Sequence, residues 1–272
     1  MAKFQFGFIG CGNMGGALVR AIAPCVGGDH VLIADRLQAN TAALHEACHV
    51  TVAQNATEVA KEAKYIFLGV KPQGMRALLE ELSAILKARN DHYVLISMAA
   101  GITVSALRDM VGIEDAPIIR ILPNTPATYG KGMTLDCCGE HVTTEDENEV
   151  VNALKAAGET DSLDEKWIDA ACAVSGCGPA FVYLFAEAMA DGAVAAGLPR
   201  QKAMFYAAQT VLGAAEMLLQ SGKHPGELKD AVCSPGGSTI CGVHALEQGA
   251  FRATVMNAVL DAYEKTKSLG NS

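Results

Sequence analysis

At 272 residues the chain is long enough for one large domain or two of ordinary size, either able to bury a core of its own. Its 21 Lys and Arg against 30 Asp and Glu leave a net charge of −9, which excludes a broad electrostatic footprint for nucleic acid or an anionic membrane, so an anionic ligand has to be held locally. Nine cysteines, odd in number, scattered and without zinc-ligand spacing, exclude a disulfide framework and read as the reduced thiols of a cytoplasmic protein.

The chain opens on MAKFQFGFIG, which runs into a strand and a glycine turn without the pattern of a cleaved leader. Five short apolar runs, FQFGFIG, HVLIAD, AKYIFLGV, HYVLISM and APIIRIL, are rich in β-branched and aromatic residues, as buried parallel strands are. Helical patterns separate or follow them at 13–23, 38–47, 55–62, 74–88 and 103–111. This alternation predicts an α/β domain with a doubly wound parallel sheet.

From about residue 165 the strand signal stops. Segments 179–196, 199–220, 226–232, 238–248 and 251–268 are rich in Ala, Leu, Met and Gly, with Pro179 and Pro199 at first turns and Gly197 and Gly222 at ends. Their apolar residues run nearly all round, which predicts an oligomer built through this half. Residues 170–198 are the most membrane-like, yet Pro179, Glu187 and Asp191 interrupt them, so they read as a helix buried in a protein interface. The expected division is a dinucleotide-binding domain at 1–162 and an all-α dimerisation and substrate domain at 163–272.

Gly10, Gly12 and Gly15 stand in G-x-G-x-x-G spacing directly after the first strand and at the start of a helix. The first glycine permits the tight turn, the second a close approach of pyrophosphate, and the third close packing of helix on sheet. Asp35, at the end of HVLIAD, is placed to accept from ribose hydroxyls, whereas Arg36 beside it suits a 2′-phosphate or stacking on adenine. A plain helix cap is the other reading of Asp35. Val70-Lys71-Pro72, Met98-Ala99-Ala100-Gly101 and Pro123-Asn124-Thr125-Pro126 follow strands at the ligand-binding carboxyl edge, or are ordinary turns. Ser175-Gly176-Cys177-Gly178-Pro179 reads as close backbone packing ahead of a nucleophile. Gly236-Gly237-Ser238-Thr239 opens a helix with a row of backbone N–H groups suited to a carboxylate, or is simply a cap. The seven histidines show no metal-ligand spacing, and no metal is expected.

These motifs in this order resemble the Δ1-pyrroline-5-carboxylate reductases along essentially the whole chain: GFIGCGNMG (7–15), VKP (70–72), MAAGIT (98–103), PNTPA (123–127), AVSGCGPAFVYLFAEAMADGAV (173–194), GLPR (197–200), HPGELKDAVCSPGGSTI (224–240) and LEQGAFR (246–252). The resemblance implies a Rossmann-type domain followed by a helical domain that interlocks with its copy in a homodimer, and further assembly to a decamer in some members. It implies a cofactor site of Gly10, Cys11, Gly12, Asn13, Met14, Gly15, Asp35, Arg36, Asn55, Gly69, Val70, Lys71, Pro72, Met98, Ala99 and Ala100, binding NADPH or NADH. It places Gly236, Gly237, Ser238 and Thr239 at the substrate carboxylate, with Thr239 beside the ring nitrogen as the catalytic contact. Two departures stand out: Cys177 replaces a more usual serine, and Asp35-Arg36 differs from the polar pair that receives a 2′-phosphate in many members. The implied reaction reduces Δ1-pyrroline-5-carboxylate to L-proline. The alternatives are another two-domain imine or hydroxyacid reductase, against which no catalytic Lys stands out in the helical half, and a dinucleotide sensor without turnover.

Overall fold

A computed structural model of the chain describes residues 2–269. The five apolar runs form β1 (Phe4–Ile9), β2 (Val31–Ala34), β4 (Ala63–Leu68), β5 (Val94–Ser97) and β6 (Ile118–Leu122), joined by the short β3 (Thr51–Val52) and by β7 (Gly132–Cys138) and β8 (Gly158–Ser162) into an eight-stranded sheet. Its order is β3-β2-β1-β4-β5-β6-β7-β8. All neighbours are parallel except β6 and β7, which pair antiparallel after a 3₁₀ turn at Thr125–Tyr129.

Successive side chains of a strand point to opposite faces, and both faces are apolar. Leu32, Ile66, Leu68, Leu95 and Ile118 meet one core, covered by α3 (Ala56–Glu62), α4 (Pro72–Ala88) and α5 (Val104–Val111). Phe8, Ile33, Phe67, Ile96 and Ile119 meet the other, covered by α1 (Asn13–Val26), α2 (Gln38–Cys48) and α6 (Thr144–Leu154). Phe8 and Phe67 stack across the strand pair with ring centroids 4.4 Å apart.

The expected elements are present, with shifted ends. α1 passes its expected end at residue 23 and carries Pro24 inside its last turn, at the loss of the hydrogen bond that position's N–H would give to the Arg20 carbonyl. α4 begins at Pro72, two residues early, because proline suits a first helical turn. Strands β7 and β8 and helix α6 escape the sequence reading: β8 is GETDS, without an apolar run, and buried polar residues interrupt β7.

The second half contains α7 (Glu165–Ser175), α8 (Gly178–Ala195), α9 (Arg200–Ser221), α10 (Pro225–Ala231), α11 (Ser238–Gln248) and α12 (Phe251–Leu269). The chain divides into two compact units, one holding the sheet through Cys177 together with the last helix from Ala262, the other spanning Gly178–Asp261. The break therefore falls after α7, later than the 162/163 division expected from the sequence. α7 stays with the sheet because Arg120 of β6, 1% exposed, donates to Asp169 at 2.5 Å and to Glu165 at 3.3 Å. Glu165 accepts in turn from the Val104 amide that opens α5, at 2.7 Å.

The helical unit has almost no core of its own. Ala190, Ala203 and Ala207 are its buried cluster, while Tyr183, Leu184, Phe205, Met217, Leu219 and Met256 are exposed on the chain. An unassociated unit so constructed would face water with much of its apolar surface. Replacing Arg120 by Leu strands two half-buried carboxylates without their cation, at an expected cost of about 3 kcal/mol. Denaturant unfolding measures it, and an unchanged midpoint contradicts the bridging role.

Candidate active site

The ends of β1 and β4 lie side by side, and the turns leaving them touch through their backbones. A Cβ on Gly10 would stand 2.5 Å from the Gly69 carbonyl oxygen, and one on Gly69 or Gly15 would run into the Gly10 carbonyl. Gly10 also has φ +94°, a conformation that side chains resist. Gly12 differs: nothing lies within 4 Å of where its Cβ would stand. As the N-cap of α1, Gly12 offers no side chain to the first-turn amides, and that turn carries no acidic residue. A helix start with unspent N–H groups, bare of side chain and open in front, is a seat for a phosphate-bearing ligand. A dinucleotide pyrophosphate fits this chemistry.

Asp35 closes the turn from the side of β2. Its Oδ2 accepts from the Cys11 amide at 2.6 Å and its Oδ1 from the Leu37 amide at 2.7 Å. Leu37, not Asp35, is the N-cap of α2, so the carboxylate organises the loop instead of capping the helix. A carboxylate can accept about four hydrogen bonds, which leaves capacity for sugar hydroxyls. Arg36 is exposed next to it. The Cys11 thiol is pushed up to about 12, first by burial and then by the Asp35 charge, which keeps it neutral beside the turn.

The other predicted positions fall on the same edge with different degrees of access. Lys71 is the exposed N-cap of α4, ahead of Pro72. Val70, Met98 and Ala100 are half-buried, but Ala99 is 1% exposed and packs into the core, so only its backbone can face a ligand. Asn55 caps α3, its Oδ1 accepting from the Glu58 amide at 2.9 Å. Asn124, one residue of the turn expected after the last apolar run, is 8% exposed and has a fastening role that the sequence reading missed. Its side chain donates to the Ser175 carbonyl at 2.8 Å and accepts from the Met133 amide at 2.9 Å, fastening the loop after β6 to both β7 and the end of α7. Only the rigidity of PNTP hinted at it. At the SGCGP turn a Cβ on Gly176 would meet Cys172 Sγ at 2.9 Å, as close packing requires.

In the helical unit, Gly236 has φ +67° and Gly237 is the N-cap of α11, its amide donating to the Ser234 carbonyl at 3.0 Å. Ser234 Oγ occupies the space a Gly237 side chain would need. α11 has no side-chain cap, and Ser238 and Thr239, exposed on the chain, form its first turn. This turn has the same carboxylate-seating chemistry as the first, with two hydroxyls added.

Comparison with known proteins covers both units. A family model described as pyrroline-5-carboxylate reductase dimerisation matches residues 165–269, and one described as NADP oxidoreductase coenzyme F420-dependent matches residues 5–101. The chain is 42% identical to the pyrroline-5-carboxylate reductase of Escherichia coli over 270 residues, covering 98% of this chain and 99% of that one. Against the enzyme of the same name from Arabidopsis thaliana it is 41% identical over 272 residues, covering 99% and 97%. Among solved structures, the pyrroline carboxylate reductase of Plasmodium falciparum with NADP bound superposes with a TM-score of 0.87 at 33% identity, covering 99% of both chains. A pyrroline-5-carboxylate reductase from Coxiella burnetii gives 0.89 at 30%, covering 99% and 100%.

The open space at Gly12 separates binding from folding. Gly12→Ala is expected to leave the thermal midpoint within about 2 °C, since an exposed methyl meets nothing, while weakening dinucleotide affinity roughly tenfold or more. Gly15→Ala should lower both. Calorimetric titration and thermal unfolding of the two variants check this; equal affinity for Gly12→Ala and the parent would remove the space from the binding site.

Proposed function

Because the chain belongs to the pyrroline-5-carboxylate reductase family, we propose that it reduces Δ1-pyrroline-5-carboxylate to L-proline with NADPH or NADH, the last step of proline biosynthesis. The observation that carries this reading is the end-to-end match at about 40% identity, which takes in the glycine turn of the sheet unit and the SPGGST turn of the helical unit alike. A sensor reading accounts for the first turn but gives the second no purpose.

The bound dinucleotide supplies a hydride to the C=N carbon; the π pair of that bond passes to nitrogen, which takes a proton and becomes the secondary amine. The protein's own groups do the rest. We assign the pyrophosphate to the α1 amides behind Gly10–Gly15, the ribose to Asp35, and the ring's surroundings to the half-buried edge at Gly69, Val70, Met98 and Ala100. Amides at Gly237, Ser238 and Thr239 hold the substrate carboxylate, and the Thr239 hydroxyl faces the ring nitrogen. That hydroxyl is too weak an acid to release its proton outright, so it orients the imine and passes on a proton drawn from solution. Fixing two reactants face to face is the larger contribution.

The helical unit pairs with its copy. Its exposed aromatic and aliphatic side chains fall in the segment matched by the dimerisation model. One helical stretch, Glu165–Ala195, is long and apolar enough to cross a membrane, and we read it as covered by protein because it belongs to that same segment. Assembly of five such dimers into a decamer is the further step that we propose. Nine free cysteines support the cytoplasm as the compartment.

Mixing protein, cofactor and pyrroline-5-carboxylate and following the nicotinamide absorbance tests the activity: bleaching is expected, and binding without bleaching would favour a sensor. Asp35→Ser should raise the efficiency with NADPH relative to NADH roughly tenfold, since a like-charge clash with the 2′-phosphate is worth on the order of 1 to 3 kcal/mol. An unchanged ratio in steady-state kinetics assigns the preference to Arg36 or the loop backbone. Thr239→Ala keeps every backbone donor, so it should lower turnover roughly ten- to a hundredfold, the loss of about 1.5 to 3 kcal/mol, with cofactor affinity hardly moved. Parental turnover and KM in that variant would leave the segment a helix cap.

A further inference from the structure

Strand alternation turns Asp136 and Cys138 of β7 to one side of the sheet. Glu147, in the first turn of α6, reaches the same place, and Ser162 stands in register with Asp136 on β8. Ligand atoms of Asp136, Cys138 and Glu147 all lie within 4.8 Å of one another. Asp136 is 1% exposed, and neither of its carboxylate oxygens has a hydrogen-bond partner. The Ser162 hydroxyl, opposite Asp136 on β8, gives its proton to Glu147 at 3.0 Å. Among the described residues no ion pair reaches Asp136 or Glu147 either. A buried carboxylate with both oxygens unsatisfied, facing a second carboxylate and a thiol, is the reverse of what folding favours unless something positive completes it.

We propose that Asp136, Cys138 and Glu147 bind one divalent cation of the zinc class between β7 and α6. One sulfur and two carboxylate groups form a borderline donor set, suited to zinc more than to magnesium or calcium, with water or Ser162 Oγ left to complete a tetrahedral shell. Metal-free, the Cys138 thiol is held up at about 12 by burial and by the charges of Glu147 and Asp136, so the cation displaces its proton into solvent as the sulfur–metal bond forms. Burial likewise pushes the Asp136 carboxyl up. Once bound, the cation turns repulsion among three acidic groups into attraction and clamps α6 to the sheet.

The full-length protein, stripped with a chelator, is titrated with Co²⁺ as a spectroscopic stand-in and with Zn²⁺ in thermal unfolding. A thiolate-to-cobalt band saturating at one equivalent per chain is expected, with a Zn²⁺-dependent rise of several degrees in the midpoint. Cys138→Ala should abolish the band. Asp136→Asn should weaken cation affinity at least tenfold and yet leave the metal-free protein as stable as the parent or more so, because it removes the stranded charge. If that variant does not fold, Glu147→Gln carries the same test. No band, or a band undiminished in Cys138→Ala, overturns the proposal.

Discussion

Between the turn that leaves β1 and the turn that leaves β4 there is no room for a methyl group, and the geometry of the nucleotide end follows from that contact. Adjacent parallel strands bring two backbones to one point on the sheet edge. Bare of side chains, Gly10 and Gly69 pass each other carbonyl to Cα, and Gly15 lets α1 descend onto the same carbonyl. Asp35 adds a third strand by holding the Cys11 amide from β2. The cradle is therefore a backbone object, and the first α1 amides point out of the helix start because α-helix geometry leaves them no carbonyl to meet.

The two units differ in how complete they are. The sheet unit fills both of its faces, and a deeply buried cation, Arg120, joins β6 to α7. The helical unit buries three alanines and leaves its aromatics outside. Its folding is thus tied to association, and its stability depends on protomer concentration as well as on sequence. The two turns are divided in the same way, with the open amides behind Gly12 on the self-sufficient unit and those of the Gly237 turn on the unit that leaves its apolar side chains exposed.

Features legible in the sequence are those with a local signature. Gly10, Gly12 and Gly15 carry a spacing, β1, β2, β4, β5 and β6 carry apolar runs, and Gly236-Gly237 opens a helix without a side-chain cap. The features that escaped are pairings across distance. Arg120 sits inside an apolar run and resembles a solvent-facing residue of a strand edge until its partners arrive on α7, dozens of residues later. Asn124 is one of four turn-forming residues until Ser175 and Met133 complete its hydrogen bonds. β7 and β8 are hidden for another reason: Thr134 and Asp136 are polar where the pattern of a buried strand calls for aliphatic residues, and β8, an edge strand of half-buried and exposed residues, has no apolar run. Asp136, Cys138 and Glu147 share no spacing that any metal motif uses.

A cysteine within the glycine-rich turn after β1 invites oxidative damage, and here burial opposes it. Oxidants and alkylating agents consume thiolates. With its thiol pushed up to about 12 by burial and the Asp35 charge, Cys11 stays protonated at neutral pH. Cys25, exposed near the end of α1, has no such shelter. Peroxide meets exposed thiols, Cys25 and Cys241, before it meets one folded into the turn, so the exterior records the stress while the turn keeps its shape.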